Sequence, residues 1–60
     1  MKRKDFIRKI ESAGWFREST TGPHDKYRKQ NRTFAVPRHS EISDGVARSW
    51  ERINQELEEK

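Results

Sequence analysis

His24-Asp25-Lys26-Tyr27-Arg28-Lys29, Gln30-Asn31 and Arg32-Thr33-Phe34-Ala35-Val36 follow one another without a gap, and this stretch decides the fold. The first run reads as a strand. Gln30-Asn31 is a hairpin turn, because Asn tolerates the positive φ that short turns need. The third run places Phe34 and Val36 on one face and Thr33 and Ala35 on the other, by the period of two. Pro37 has no N–H for a ladder and closes the strand. Two strands joined by so short a turn must run antiparallel.

Working upstream, Thr21-Gly22-Pro23 reads as another turn, and Trp15-Phe16-Arg17-Glu18-Ser19-Thr20 as the strand before it. Phe6, Ile7, Ile10 and Ala13 fall on one helical face, with Lys2, Lys4, Arg8, Lys9 and Glu11 mostly outside it. Gly14 supplies the stop. Downstream, Arg38 to Asp44 is a connector, and Ser43 or Asp44 can cap a helix. Val46, Trp50, Ile53 and Leu57 then form an apolar stripe at helical spacing. Glu56, Glu58 and Glu59 oppose the helix dipole, so the end is expected to fray.

The expected fold class is therefore α+β, in the order α-β-β-β-α. A three-stranded antiparallel meander carries two helices on one face, within a single domain spanning residues 1–60. Phe6, Ile10, Phe34, Trp50 and Ile53 are the expected core, with Trp15 beside them. The other face of the sheet is left to solvent or ligand.

Composition bounds what such a chain can be. Of its residues 28% are hydrophobic and 40% charged, a balance that leans towards disorder. Six aromatics spaced along the chain offset this, since large rings supply much buried area per residue. A domain this short buries only about 60% of the surface its unfolded chain exposes, so its core is minimal and a partner can complete it. With no cysteine, neither a disulfide framework nor a thiolate metal site is available, which fits a reducing cytoplasm. The longest uninterrupted apolar run, Phe34-Ala35-Val36, is too short for a transmembrane helix or the apolar core of a signal peptide. No membrane role is expected.

Charge is uneven. Residues 1–38 carry eleven Lys/Arg against four Asp/Glu, net +7, whereas residues 39–60 are net −3. That asymmetry suggests a positive face for a polyanion, the alternative being solvated charge that keeps a small protein soluble.

The residues able to carry chemistry cluster at the Gly22-Pro23 turn. Imidazole both takes and gives a proton near neutral pH. RNA backbone cleavage needs a base for the 2′-hydroxyl, an acid for the leaving 5′-oxygen, and donors for the phosphoryl charge. His24 is the candidate acid/base, and Lys26, Arg28, Lys29 and Arg38 are candidate phosphate clamps. By strand parity His24, Lys26 and Arg28 share one face, and Asp25, Tyr27 and Lys29 the other. A solvated strand face is the plainer reading of the same pattern. His39 is either a second acid/base or a structural residue of the connector. Tyr27 either stacks on a base or packs in the core. Two histidines fifteen residues apart match no metal-ligand spacing, so no metal and no cofactor is expected. A nucleophilic cysteine, Gly-x-Ser-x-Gly and a phosphate-binding glycine loop are all absent.

Together these segments resemble the HicA family, small toxins of bacterial and archaeal toxin–antitoxin pairs. Gly14-Trp15 closes the first helix where the family tends to carry glycine and an aromatic. Gly22-Pro23-His24 resembles its Gly-Ser-His turn, and His24-x-x-Tyr27 a variant of some members. Val36-Pro37-Arg38-His39-x-Glu41-Ile42 is similar to its Val-Pro-x-His segment, and Gly45-x-Ala47-Arg48 to the start of its last helix. The chain departs from the pattern at Pro23, where serine is usual, and at Ser19, where many members carry arginine. The resemblance implies a double-stranded-RNA-binding-like fold and an mRNA interferase, with the catalytic role falling on His24. It further implies a HicB-type antitoxin that covers the site, and contact with DNA only indirectly, through that antitoxin. A non-catalytic RNA-binding module of the same fold, or a degenerate toxin that only binds its antitoxin, are the rival readings.

Overall fold

The computed structural model describes residues 1–59, Thr21 by its backbone alone. Five elements follow in order: α1 (Arg3–Ser12), β1 (Phe16–Thr21), β2 (His24–Lys29), β3 (Arg32–Pro37) and α2 (Asp44–Glu58). The strands form one antiparallel sheet in the order β1-β2-β3, so the α-β-β-β-α meander expected from the sequence is the observed architecture.

α1 ends as its sequence requires. Gly14 adopts φ +97°, the Trp15 amide reaches back to the Ile10 carbonyl at 3.1 Å, and the Gly14 amide to Glu11 at 3.0 Å. This is the paired Schellman arrangement, and its apolar accompaniment is Ile10 with Trp15, both buried. Trp15 therefore belongs to the helix stop. The first strand begins one residue later than expected, at Phe16, and continues to Thr21, leaving Gly22-Pro23 as a tight two-residue turn between the paired residues Thr21 and His24. β3 likewise extends to Pro37, tolerated because β3 is an edge strand. In the second turn the positive φ falls on Gln30 (φ 56°), not on Asn31.

α2 is capped by Ser43, whose hydroxyl accepts from the Val46 amide at 3.3 Å. It stays helical through Glu58 despite its acidic end. Leu57 is buried in the core and anchors the last turn, and Asn54 donates to Glu58 at 3.1 Å across one turn. Packing thus outweighs the unfavourable dipole, which is worth only about 0.3–1 kcal/mol at an exposed end.

The core joins Phe6 and Ile10 of α1, Trp15, Tyr27, Val36, Ile42, and Trp50 and Leu57 of α2. Phe34 and Ile53 pack at its margin, half-buried. Trp50 is the hub: its ring meets Phe6 edge-on (5.8 Å, 82°) and Trp15 at 6.2 Å and 63°. Such edge-to-face pairs add about 0.5–1.5 kcal/mol each beyond their burial. Ile42, in the connector, is a core residue that helical and strand periodicity do not reveal. The connector is held there by backbone pairing with the N-terminus: the Ile42 amide bonds Met1 at 2.7 Å and the Arg3 amide bonds Ser40 at 2.9 Å. All of this lies on one side of the sheet. Among the described residues nothing covers the opposite side.

Candidate nucleic-acid face and turn histidine

Gly22 takes φ +57° and Pro23 keeps its negative φ, the sign pattern of a type II′ hairpin turn. The turn starts β2 at His24, which is exposed and pairs across with Pro37. Parity then works as expected: His24, Lys26 and Arg28 lie on the uncovered face, and Asp25, Tyr27 and Lys29 on the helix side. From His24 to Arg28 the face runs about 13 Å at strand rise.

Two expected ligand-binding residues are placed elsewhere by this parity. Tyr27 is 4% exposed within the core, so its ring is not available to stack on a base, and burial pushes its phenol above its ordinary pKa. Lys29 donates from Nζ to the Ala13 carbonyl at 2.6 Å, and its stem lies against Gly14, where a Cβ would meet Lys29 Cε at 3.3 Å. Lys29 therefore closes the C-terminus of α1, where a cation complements the helix dipole.

Arg38 is brought to the turn. Its amide bonds the Pro23 carbonyl at 3.1 Å, and its guanidinium donates to Asp25 Oδ1 from Nη2 at 3.0 Å and from Nε at 3.3 Å. Asp25 is 5% exposed. Besides Arg38 it accepts from Thr20 Oγ1 at 3.1 Å and from Arg3 Nη2, while Arg3 Nε donates to the Pro37 carbonyl at 3.0 Å. The hydrogen bond from Arg38 outweighs the opposing cost of burial and holds the Asp25 carboxyl below its ordinary pKa. One carboxylate thus ties α1, β1, β2 and the exit of β3 together beneath the turn. His39 follows at the same end of the sheet, exposed in the connector.

A bulge shapes the other end of the face. Arg17 pairs with Tyr27 and Ser19 with Lys26, leaving Glu18 as the extra residue. Glu18 accepts from Arg28 Nε at 2.6 Å and lies 3.7 Å from Lys26 Nζ. The two cations on the His24 face therefore share one anionic partner. The sequence reading missed Glu18, because the bulge that places it depends on strand pairing. Asp25 shares the parity of Tyr27, and its burial becomes legible only once the helices are known to cover that face. Phe16, opposite Arg28, is 53% exposed on the uncovered face.

These elements define a small α+β protein of the double-stranded-RNA-binding-like class, carrying an exposed histidine on a two-residue turn beside a cationic strand face. A family model described as HicA toxin of bacterial toxin–antitoxin matches residues 3–55, and the chain belongs to that toxin family. It is thus the toxin half of a toxin–antitoxin pair. No curated protein and no solved structure shows a significant match to it. Among the described residues no helix is long and apolar enough to cross a membrane.

Proposed function

We propose that the protein is a cytoplasmic endoribonuclease, an mRNA interferase, which cleaves RNA by metal-independent acid/base chemistry. The observation that carries this reading is the placement of His24: exposed at the start of β2, on one face with Lys26 and Arg28, at the turn to which Arg38 is tied. In the reaction a 2′-oxygen attacks the adjacent phosphorus and gives up its proton. The bond to the 5′-oxygen breaks, and that oxygen takes up a proton. The products are a 2′,3′-cyclic phosphate and a 5′-hydroxyl. His24 serves one of these transfers. His39, at the same end of the sheet, is the candidate for the other. Lys26, Arg28 and Arg38 bind the phosphates. A HicB-type antitoxin covers this end and contacts operator DNA on the toxin's behalf.

Incubation of the purified protein with RNA in EDTA tests the reading. Cleavage is expected to persist, and His24→Ala is expected to reduce it about 10²- to 10⁴-fold. Cleavage unchanged by His24→Ala removes the histidine from the mechanism. A second reading, a toxin that binds its antitoxin without cleaving RNA, draws on Glu18, which already occupies Lys26 and Arg28. Antitoxin binding by the unsubstituted protein with no RNA cleavage supports it.

A further inference from the structure

We propose that Phe16 is a base-stacking site for single-stranded RNA. The proposal rests on the reading of the His24 face as an RNA-binding surface and names the strandedness of its ligand. Phe16 is a large apolar side chain left 53% exposed on an ordered strand. The antiparallel register sets it directly opposite Arg28, on the face that also carries Lys26 and His24.

The surroundings of the ring decide what it fits. Its row continues through Arg28 to Thr33, and the next row is Ser19, Lys26 and Ala35. This is one phenyl ring beside Arg28 and Lys26, which share the Glu18 carboxylate, with only Ser19, Thr33 and the small Ala35 in the adjoining positions. A protein-docking hot spot is an aromatic anchor within a wider, water-excluding patch, and among the described residues no such patch surrounds Phe16. A lone aromatic beside cations that track a phosphate backbone is the usual platform for single-stranded nucleic acid. The charge for the backbone comes from Lys26 and Arg28 once phosphate displaces Glu18 from them. Phe16 also takes the part for which Tyr27 is placed on the wrong face. At strand rise, the ring's neighbour Arg28 lies about 13 Å from His24, with Lys26 between. A base stacked on Phe16 therefore sits away from the scissile phosphate and sets which bond reaches His24.

A duplex keeps its bases stacked on one another and has none to offer. The test uses a 2′-O-methyl oligonucleotide, which cannot be cleaved, so binding is read independently of the His24 chemistry. Phe16→Leu is expected to weaken binding about 5- to 20-fold, and Phe16→Trp to hold it near the unsubstituted value. The salt slope is expected to stay constant, because no phosphate contact is lost. An abasic nucleotide at the responsive position is expected to erase the difference between the unsubstituted protein and Phe16→Leu, and duplex RNA to show none. Equal binding of single strands by the unsubstituted protein and Phe16→Leu overturns the proposal. So does a Phe16→Leu protein that keeps its RNA affinity and loses its antitoxin, which makes the ring a protein contact. Failure of His24→Ala to affect cleavage overturns the catalytic reading alone.

Discussion

Arg38 donates to one oxygen of Asp25 from both Nε and Nη2, and this pair fastens the exit of β3 to the underside of the turn that carries His24. Arg3 and Thr20 share the same carboxylate. Without these donors a nearly buried carboxylate so close to the core would be strongly unfavourable. With them it joins four segments at one point.

Asp25→Ala is expected to lower the unfolding free energy by about 1–3 kcal/mol, read from the urea midpoint. The figure falls below the roughly 3–5 kcal/mol for breaking a fully buried pair, because Arg3 and Arg38 keep part of their surface in water. Arg38→Ala should cost less than Asp25→Ala, since Arg3 remains to pair the carboxylate. The reverse order would place the main burden on Arg38.

The same pair fixes a pH dependence. The carboxyl of Asp25 is depressed in the folded state, so its contribution is fully present above the unfolded value of about 3.9. It is lost as pH falls through the lower folded value. The stability difference between the unsubstituted protein and Asp25→Asn is expected to be constant above about pH 5 and to shrink below about pH 4. Thermal unfolding of both proteins across pH 2–7 measures it. A difference that persists unchanged to pH 2 would exclude the ionised carboxylate as its source.

Glu18 sits between the two cations of the His24 face. Glu18→Gln is expected to tighten single-stranded RNA several-fold at low salt, because Arg28 and Lys26 are released to phosphate. The slope of log K against log salt should steepen by about 0.7 for each cation gained. Fluorescence anisotropy across a salt series gives both numbers. An unchanged slope would show that neither cation reaches the backbone.

Trp50 holds the two helices and the sheet together. Trp50→Ala is expected to cost about 3–5 kcal/mol, against a total of roughly 3–9 kcal/mol for a chain of this size. Loss of the cooperative unfolding transition, followed by circular dichroism, is the expected result. A well-folded Trp50→Ala protein would mean that Phe6 and Trp15 repack across the vacancy.

The helical stripes, the turn glycines and the strand parity were all legible because they depend on neighbours in the chain. Gly14 and Gly22 do take the positive φ that their positions suggested. His24, Lys26 and Arg28 do share a face. Tyr27 and Lys29 were legible only in part. Their parity was plain, but which face the helices cover depends on the summed burial of Phe6, Ile10, Trp50 and Leu57. Glu18 and Ile42 were not legible at all, since one rests on a bulge and the other on pairing between the N-terminus and the connector.

By itself the sequence determined the order of elements, the turn that presents His24 and the alternation along β2, all of which follow from backbone sterics and local periodicity. Only the tertiary structure decided what each charge meets. Arg38 and Arg3 converge on Asp25, Glu18 takes Lys26 and Arg28, Lys29 closes α1, and Phe16 is left uncovered. Charge partners are chosen by distance in space: Arg3 and Asp25 meet although they are 22 positions apart in the chain.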